Sequence, residues 1–181
     1  MAFEFIGENL KKAEEIINKY PEDRHKSAVM PLLDLAQRQN NNYLSKEVIE
    51  YISDMLHLPP IKVYEVASFY SMYNLKPVGR YLLQVCGTTP CMLRGSGNII
   101  EVCKKKLNIE MNQTTADDLF TLKEVECLGG CVNAPIVQIN DDYYEDLDGD
   151  KMAEILDNLK NGKKIKIGSQ IGRQCSAPLK K

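Results

Sequence analysis

Two pairs of cysteines constrain this 181-residue sequence more than any other feature. Cys86 and Cys91 directly follow one short apolar run, and Cys127 and Cys131 follow a second one. If the two runs are neighbouring parallel strands, their carboxyl ends lie at the same edge of one sheet and the four thiols converge there. Four converging thiolates can bind zinc, a 2Fe-2S cluster or a 4Fe-4S cluster, or they can oxidise to two disulfides.

The sequence around these cysteines predicts one mixed sheet covered by helices. Short apolar runs predict strands, and apolar residues with helical spacing predict helices. The predicted order is β-α-β-β-β-α, over residues 80–85, 96–107, 119–125, 136–139, 143–145 and 152–159. Its first three elements form a βαβ unit, which requires parallel strands joined by a right-handed crossover.

The N-terminal part has a different pattern and predicts a small bundle of four short amphipathic helices. Pro21 ends the first predicted helix, because the residue before a proline is pushed out of the helical region. Ser45 is the predicted N-cap of the third helix, and Pro59-Pro60 begins the fourth. We therefore expect an α+β protein with a helical bundle over residues 1–78, a sheet domain over 79–160 and an extended basic tail over 161–181.

Charge and hydropathy argue against two classes of partner. The 23 Lys and Arg nearly balance the 25 Asp and Glu, so the chain lacks the strongly basic surface that nucleic-acid binding requires. The longest run without a charged residue has 14 residues (127–140), fewer than the roughly 18 to 20 of a membrane-spanning helix. We expect no secretory or mitochondrial leader in the acidic N-terminal residues, and cysteines in a chain that is not exported favour metal or redox chemistry.

The spacing of the four cysteines favours a 2Fe-2S cluster. The two loops have four and three residues between their cysteines, so each loop can wrap over one iron with its N–H groups directed at the sulfurs. Gly129 and Gly130 permit a positive φ and a close approach of the backbone. Structural zinc remains open, because its ligand pairs tolerate two to four intervening residues, and two disulfides remain a further alternative. A Rieske centre needs two histidines, but His25 and His57 fall in the helical part.

The other two cysteines are expected to be spectators. Cys103 lies on the apolar stripe of the predicted helix 96–107 and is interpreted as a core residue. Cys175 lies in the polar tail and is interpreted as a free thiol. A thioredoxin-type dithiol is excluded because the sequence contains no Cys-x-x-Cys pair.

Four segments together resemble one known family. They read CGTTPCMLRG at 86–95, EVECLGGCVNAP at 124–135, NDDYY at 140–144 and ASFYSMY at 67–73. The chain resembles the thioredoxin-like 2Fe-2S subunit of respiratory complex I, the NADH:quinone oxidoreductase. That family contains the bacterial E subunit and its mitochondrial flavoprotein equivalent. Gly130 stands where many relatives have Ala, which changes nothing in the chemistry.

The resemblance implies a thioredoxin-like ferredoxin domain in which Cys86, Cys91, Cys127 and Cys131 ligate one 2Fe-2S cluster. It implies one-electron transfer as a subunit of a translocating oxidoreductase, with no catalytic acid, base or nucleophile on this chain. FMN and NADH would be bound by a partner subunit of the same complex, so the isolated chain should not oxidise NADH. The basic tail and the acidic segment 141–157 separate the charge along the chain, so we expect the helical part and the tail to clamp the chain to that partner. A solvated, dispensable tail is the alternative.

Other parts of the implied setting follow from the same resemblance. Further partners would be other subunits of the hydrophilic arm, and the membrane would be reached only through the complex. The chain would work at the cytoplasmic side of the bacterial inner membrane, or in the mitochondrial matrix in an organellar form. Related subunits occur in NAD-linked hydrogenases and formate dehydrogenases, so such a diaphorase subunit stays an alternative, as does a zinc-bound structural module.

Overall fold

The computed structural model describes residues 3–176, so the last five residues of the predicted basic tail lie outside the described part. The chain divides into two compact units, Met1–Val78 and Gly79–Lys181, which are described separately below. None of the helices within residues 3–176 is both long enough and apolar enough to cross a membrane.

Over residues 3–78 the first unit contains the four predicted helices. They are α1 (Glu8–Ile17), α2 (Val29–Gln39), α3 (Lys46–Met55) and α4 (Pro60–Phe69), with a short 3-10 helix, Glu22–Ala28, before α2. The Ser45 hydroxyl accepts a hydrogen bond from the Val48 N–H at 3.4 Å, which confirms it as the N-cap of α3. Their apolar faces enclose a core of their own, with Leu32 and Ile52 fully buried.

Over residues 79–176 the second unit is a five-stranded mixed sheet with helices. Its elements are β1 (Tyr81–Cys86), α5 (Thr89–Leu93), α6 (Ser96–Leu107), β2 (Phe120–Val125), β3 (Val137–Ile139), β4 (Asp142–Glu145), α7 (Gly149–Lys160) and β5 (Gly168–Ser169). The strand order is β2-β1-β3-β4-β5. Strands β1 and β2 are parallel, and β1 and β4 are both antiparallel to β3. The predicted βαβ unit, hairpin and α+β fold class are confirmed.

The C-terminal segment differs from the expected extended tail. Residues Gly168–Ser169 form β5, which pairs in parallel with β4, so residues 161–176 belong to the second unit. The side chain of Arg173 forms an ion pair with Asp146 at 2.9 Å, and Ser169 donates a hydrogen bond to the same carboxylate at 2.6 Å. A strand of two residues is too short to show a period in the sequence. The high Lys content of the segment suggested an exposed tail instead.

Cys103 lies in the core of the second unit, where α6 and α7 pack against the sheet. Its side chain is fully buried among apolar residues such as Leu83 and Met152. Burial raises the pKa of this thiol to about 12, so it stays protonated and uncharged. Cys103 is therefore a packing residue, as its position on the apolar stripe predicted.

Replacing Cys103 with Ser should lower the free energy of unfolding by about 1–3 kcal/mol, because a hydroxyl is more costly than a thiol to bury among apolar side chains. Urea-induced unfolding followed by circular dichroism measures the change. Cys103→Ala is the control, since it removes the sulfur without burying a polar group, and it should be the more stable variant. A Ser variant as stable as the wild type would contradict the apolar environment.

Candidate metal centre

Parallel pairing of β1 with β2 brings the two cysteine loops to one edge of the sheet. The register runs from Tyr81 opposite Phe120 to Cys86 opposite Val125. Both strands therefore end at the same level, and both loops start there. Cys86 is the last residue of β1, and Cys127 comes two residues after β2. The predicted convergence of the loops is confirmed.

Each loop presents its second cysteine on a short turn of helix. Cys91 lies within the five-residue helix α5, which sequence analysis did not predict because it is too short for a periodic pattern. Cys131 opens the 3-10 turn Cys131–Asn133. Cys86 and Cys91 are each only 1% exposed, whereas Cys127 and Cys131 are exposed. The site thus has a buried pair beneath and an exposed pair at the surface.

The four sulfurs lie close together as two pairs. The Sγ atoms of Cys127 and Cys131 are 3.6 Å apart, and the thiols of Cys86 and Cys91 share a hydrogen bond. Cys131 also interacts electrostatically with Cys86 and Cys91, which links the pairs. Two linked pairs match a 2Fe-2S cluster, in which each iron takes two thiolates.

The spacing within one pair does not distinguish zinc from iron. The 3.6 Å between the Sγ atoms of Cys127 and Cys131 is close to the distance of about 3.8 Å expected for two thiolates on one zinc at about 2.3 Å. A cluster is favoured by the division of the four thiols into a buried pair and an exposed pair, one pair for each iron.

Backbone N–H groups and one hydroxyl point at the sulfurs. The Thr88 hydroxyl lies 3.3 Å from Cys86 Sγ, and the N–H groups of Thr88 and Leu128 are directed at the same sulfur. Burial by itself would raise the pKa of Cys86, but these hydrogen bonds outweigh it and lower the pKa. Gly129 donates its N–H to Cys127 Sγ at 3.4 Å. The loops thus stabilise thiolates, the form that binds metal.

The thiols also oppose one another's ionisation. Burial and the hydrogen bond to Cys86 raise the pKa of Cys91 to about 12. The hydrogen bond with Cys127, followed by burial, raises the pKa of Cys131. Several thiolates this close repel one another unless a cation lies between them, and bound iron would supply that positive charge. The donor set therefore fits an iron-sulfur cluster.

The glycine pair of the second loop shapes the backbone as predicted. Gly129 has a φ of +83°, which a residue with a side chain adopts at a cost, and this turn directs its N–H at Cys127. A side chain on Gly130 would meet the terminal methyl group of Ile136 and the Ser176 hydroxyl. Both contacts involve side-chain atoms, so an alanine here would require only small shifts.

Sequence analysis missed two residues that support the second loop. Tyr143 donates its hydroxyl to the Leu128 carbonyl oxygen at 2.6 Å. Glu145 is fully buried and accepts hydrogen bonds from Asn133 Nδ2 at 2.7 Å and from the Ser176 N–H at 3.0 Å. The sequence of this segment predicted only a strand of the hairpin, and neither hydrogen bond has a local sequence signal.

The other two cysteines of the second unit have environments of their own. Cys103 is in the core, and Cys175 is half-buried with its sulfur packed against Gly168. His25 and His57 lie in the helical unit.

The sequence model of one protein family, described as Thioredoxin-like [2Fe-2S] ferredoxin, matches residues 13–160. The chain belongs to this family. The resemblance seen in the sequence is thereby confirmed, and the match includes both units.

Named relatives of this ferredoxin-family chain are similar over most of its length. It is 60% identical to the E subunit of the NADH-quinone oxidoreductase of Rickettsia conorii over 159 residues, which are 88% of this chain and 95% of the relative. It is 51% identical over 174 residues to "NADH dehydrogenase [ubiquinone] flavoprotein 2, mitochondrial" of Dictyostelium discoideum, covering 96% of this chain and 70% of that one.

One solved structure shows the same fold. It is a crystal structure of an NAD+-reducing [NiFe]-hydrogenase in the air-oxidized state, with a TM-score of 0.63 and 22% identity. The similarity covers 72% of this chain but 23% of that hydrogenase chain. At this identity the likeness concerns the fold alone.

Cys86, Cys91, Cys127 and Cys131 remain the predicted ligands of this family member. Anaerobic reconstitution should give about two irons per chain, measured by metal analysis and visible absorption. Cys127→Ala should lose most of the absorption, because one iron would lose one of its two protein ligands and alanine supplies none. Cys175→Ala, the matched control, should keep it. One zinc per wild-type chain, or iron loss from the control with its fold intact, would contradict the assignment.

Proposed function

We propose that this chain is an electron-transfer subunit of an NADH:quinone oxidoreductase and holds one 2Fe-2S cluster on Cys86, Cys91, Cys127 and Cys131. When bound, the cluster supplies a one-electron carrier at this edge of the sheet. The observation that carries the proposal is the pairing of four close sulfurs, with backbone N–H groups directed at Cys86 and Cys127. The relatives named as components of NADH-quinone oxidoreductase support this choice of host complex over the others.

The residues of this chain bind the cluster and shield it from water, and they do not make or break covalent bonds of a substrate. Burial of Cys86 and Cys91 keeps water from one side of the site. The N–H groups of Leu128 and Gly129 oppose the negative charge that accumulates on the sulfurs. This role requires no general acid, base or nucleophile on the chain.

The proposed partner is the subunit that binds FMN and oxidises NADH, and it would cover the cysteine edge of the sheet. The second cysteine of each loop is followed in the sequence by large apolar side chains that face solvent. Met92, Leu93 and Val132 are 58%, 77% and 80% exposed. Exposed apolar residues beside a redox centre are typical of a surface that a partner covers. This arrangement would place the exposed pair of ligands towards the flavin.

The alternative functions, as a subunit of another NAD-linked complex or as a zinc-bound module, have less support. The likeness to the NAD+-reducing hydrogenase is one of fold, and formate dehydrogenase has no specific observation in its favour. A zinc-bound structural module would use the same four thiols, whereas the family that matches this chain is described as a [2Fe-2S] ferredoxin. Within the complex, the chain would work at the cytoplasmic side of the membrane, or in the matrix of mitochondria.

The electron-transfer role has a direct test. Anaerobically reconstituted chain should be coloured, and dithionite should reduce it by about one electron per chain to a paramagnetic state. The isolated chain should not oxidise NADH, because it carries no flavin in this proposal. A colourless zinc protein would contradict the cofactor, and NADH oxidation by the isolated chain would contradict the division of labour.

The partner surface has a separate test. Val132→Glu should weaken copurification with the co-expressed flavin-binding subunit by about tenfold or more, because a buried unpaired carboxylate is costly at an interface. Ala116→Glu is the matched control, since Ala116 is exposed and lies before β2, at the opposite end of that strand from the cysteine loop. Equal weakening by both variants would refute the proposed surface.

A further inference from the structure

Tyr143 lies beneath the second cysteine loop. It is the second residue of β4, and its ring packs in the small apolar cluster that contains Cys86, Cys91 and Ile136. Its hydroxyl donates a hydrogen bond to the backbone carbonyl of Leu128 at 2.6 Å. Leu128 is the residue directly after Cys127, so this bond anchors the start of the ligand loop to the sheet.

Leu128 occupies a position between the two cysteine loops. Its own N–H is directed at the sulfur of Cys86, in the first loop. Its carbonyl belongs to the same peptide group as the Gly129 N–H, which donates to Cys127 Sγ at 3.4 Å. The two peptide groups that flank the Leu128 Cα thus direct N–H groups at a sulfur in each loop, and Tyr143 holds the Leu128 carbonyl.

The hydroxyl and the sulfur are at opposite ends of one peptide group. The connection runs from the Tyr143 O–H to the Leu128 C=O, and from the Gly129 N–H to Cys127 Sγ. Hydrogen bonds in such a series polarise one another, so a bond to the carbonyl strengthens the N–H as a donor. Gly129, with its φ of +83°, offers little steric resistance to rotation of this peptide, so an external anchor is needed to fix it.

We propose that Tyr143 is a positioning residue that fixes the peptide between Leu128 and Gly129 and thereby raises the reduction potential of the site. The inference rests on the proposed function, because it concerns the potential of a bound cluster. Reduction adds negative charge to the sulfurs, and N–H donors stabilise that charge more in the reduced state than in the oxidised state. Weakening one donor therefore favours the oxidised state.

The substitution that isolates the hydroxyl is Tyr143→Phe, which keeps the ring and its packing. Tyr144→Phe is the matched control. Tyr144 is the next residue of the same strand, its side chain points to the other face of the sheet, and it packs in the core with Leu83 and Met152. Both variants lose one phenolic oxygen from β4, and only Tyr143 contacts the cysteine loop.

The first measurement is a redox titration of reconstituted protein, followed by visible absorption. At a fixed solution potential, Tyr143→Phe should lower the ratio of reduced to oxidised protein several-fold, up to about tenfold, which corresponds to about 59 mV for a one-electron couple. Tyr144→Phe should leave the ratio unchanged. A change of less than about twofold in Tyr143→Phe, or an equal change in both variants, overturns the proposal.

The second measurement needs no cluster. Hydrogen exchange of the cluster-free chains, followed by mass spectrometry, should show faster exchange of the amides in residues 127–131 for Tyr143→Phe than for the wild type or Tyr144→Phe. Equal exchange in all three overturns the anchoring role. A wild-type chain that binds no cluster would refute the proposed function, whereas this exchange experiment would still decide whether Tyr143 fixes the loop.

Discussion

The parallel pairing of β1 with β2 is the constraint on which the candidate metal centre depends. Successive strand residues face opposite sides of a sheet, so a shift of one residue in this register would turn Cys86 away from the site. The register is held by the core, where Leu83 and Leu122 lie opposite each other and are both fully buried. The geometry of the four thiols thus depends on apolar packing three residues before Cys86 and five residues before Cys127.

The electrostatics of the site come largely from the backbone. Peptide N–H groups carry no net charge, so they can stabilise thiolates only where the chain conformation directs them at sulfur. Gly129 provides one such conformation through its positive φ, and Leu128 is held by the hydroxyl of Tyr143. The chemistry of the centre therefore depends on loop conformation as much as on the identity of the ligands. Small residues and anchoring hydroxyls matter here because they control that conformation.

Most helices and strands could be predicted from the sequence, and the elements that were missed have physical reasons for it. Helices α1 to α4 and α6 are long enough to give an apolar period, and the two strands that lead into the cysteine loops are visible as apolar runs. Helix α5 and strand β5 are too short to give one. The convergence of the cysteine pairs followed from the βαβ order, whereas the ligand set itself stays a prediction. The roles of Tyr143 and Glu145 were hidden, because their hydrogen-bond partners lie 12 to 31 residues away along the chain.

Glu145 links the C-terminal segment to the candidate metal centre. Its buried carboxylate binds Asn133, which follows Cys131 by two residues, and Ser176 at the end of the described chain. Asn133 also donates a hydrogen bond to the Gln174 carbonyl at 2.7 Å. The turn after Cys131 is therefore bonded both to Glu145 and to the C-terminal segment. A chain ending at Leu159 would lose β5 and leave this carboxylate without part of its hydrogen bonding, a costly state for a buried charge. If such a chain failed to bind the partner, the cause could be a disturbed cysteine loop as well as the loss of an interface. A chain ending at Ser176 keeps these contacts, so only that truncation separates the predicted clamping role of the terminal residues from the integrity of the site.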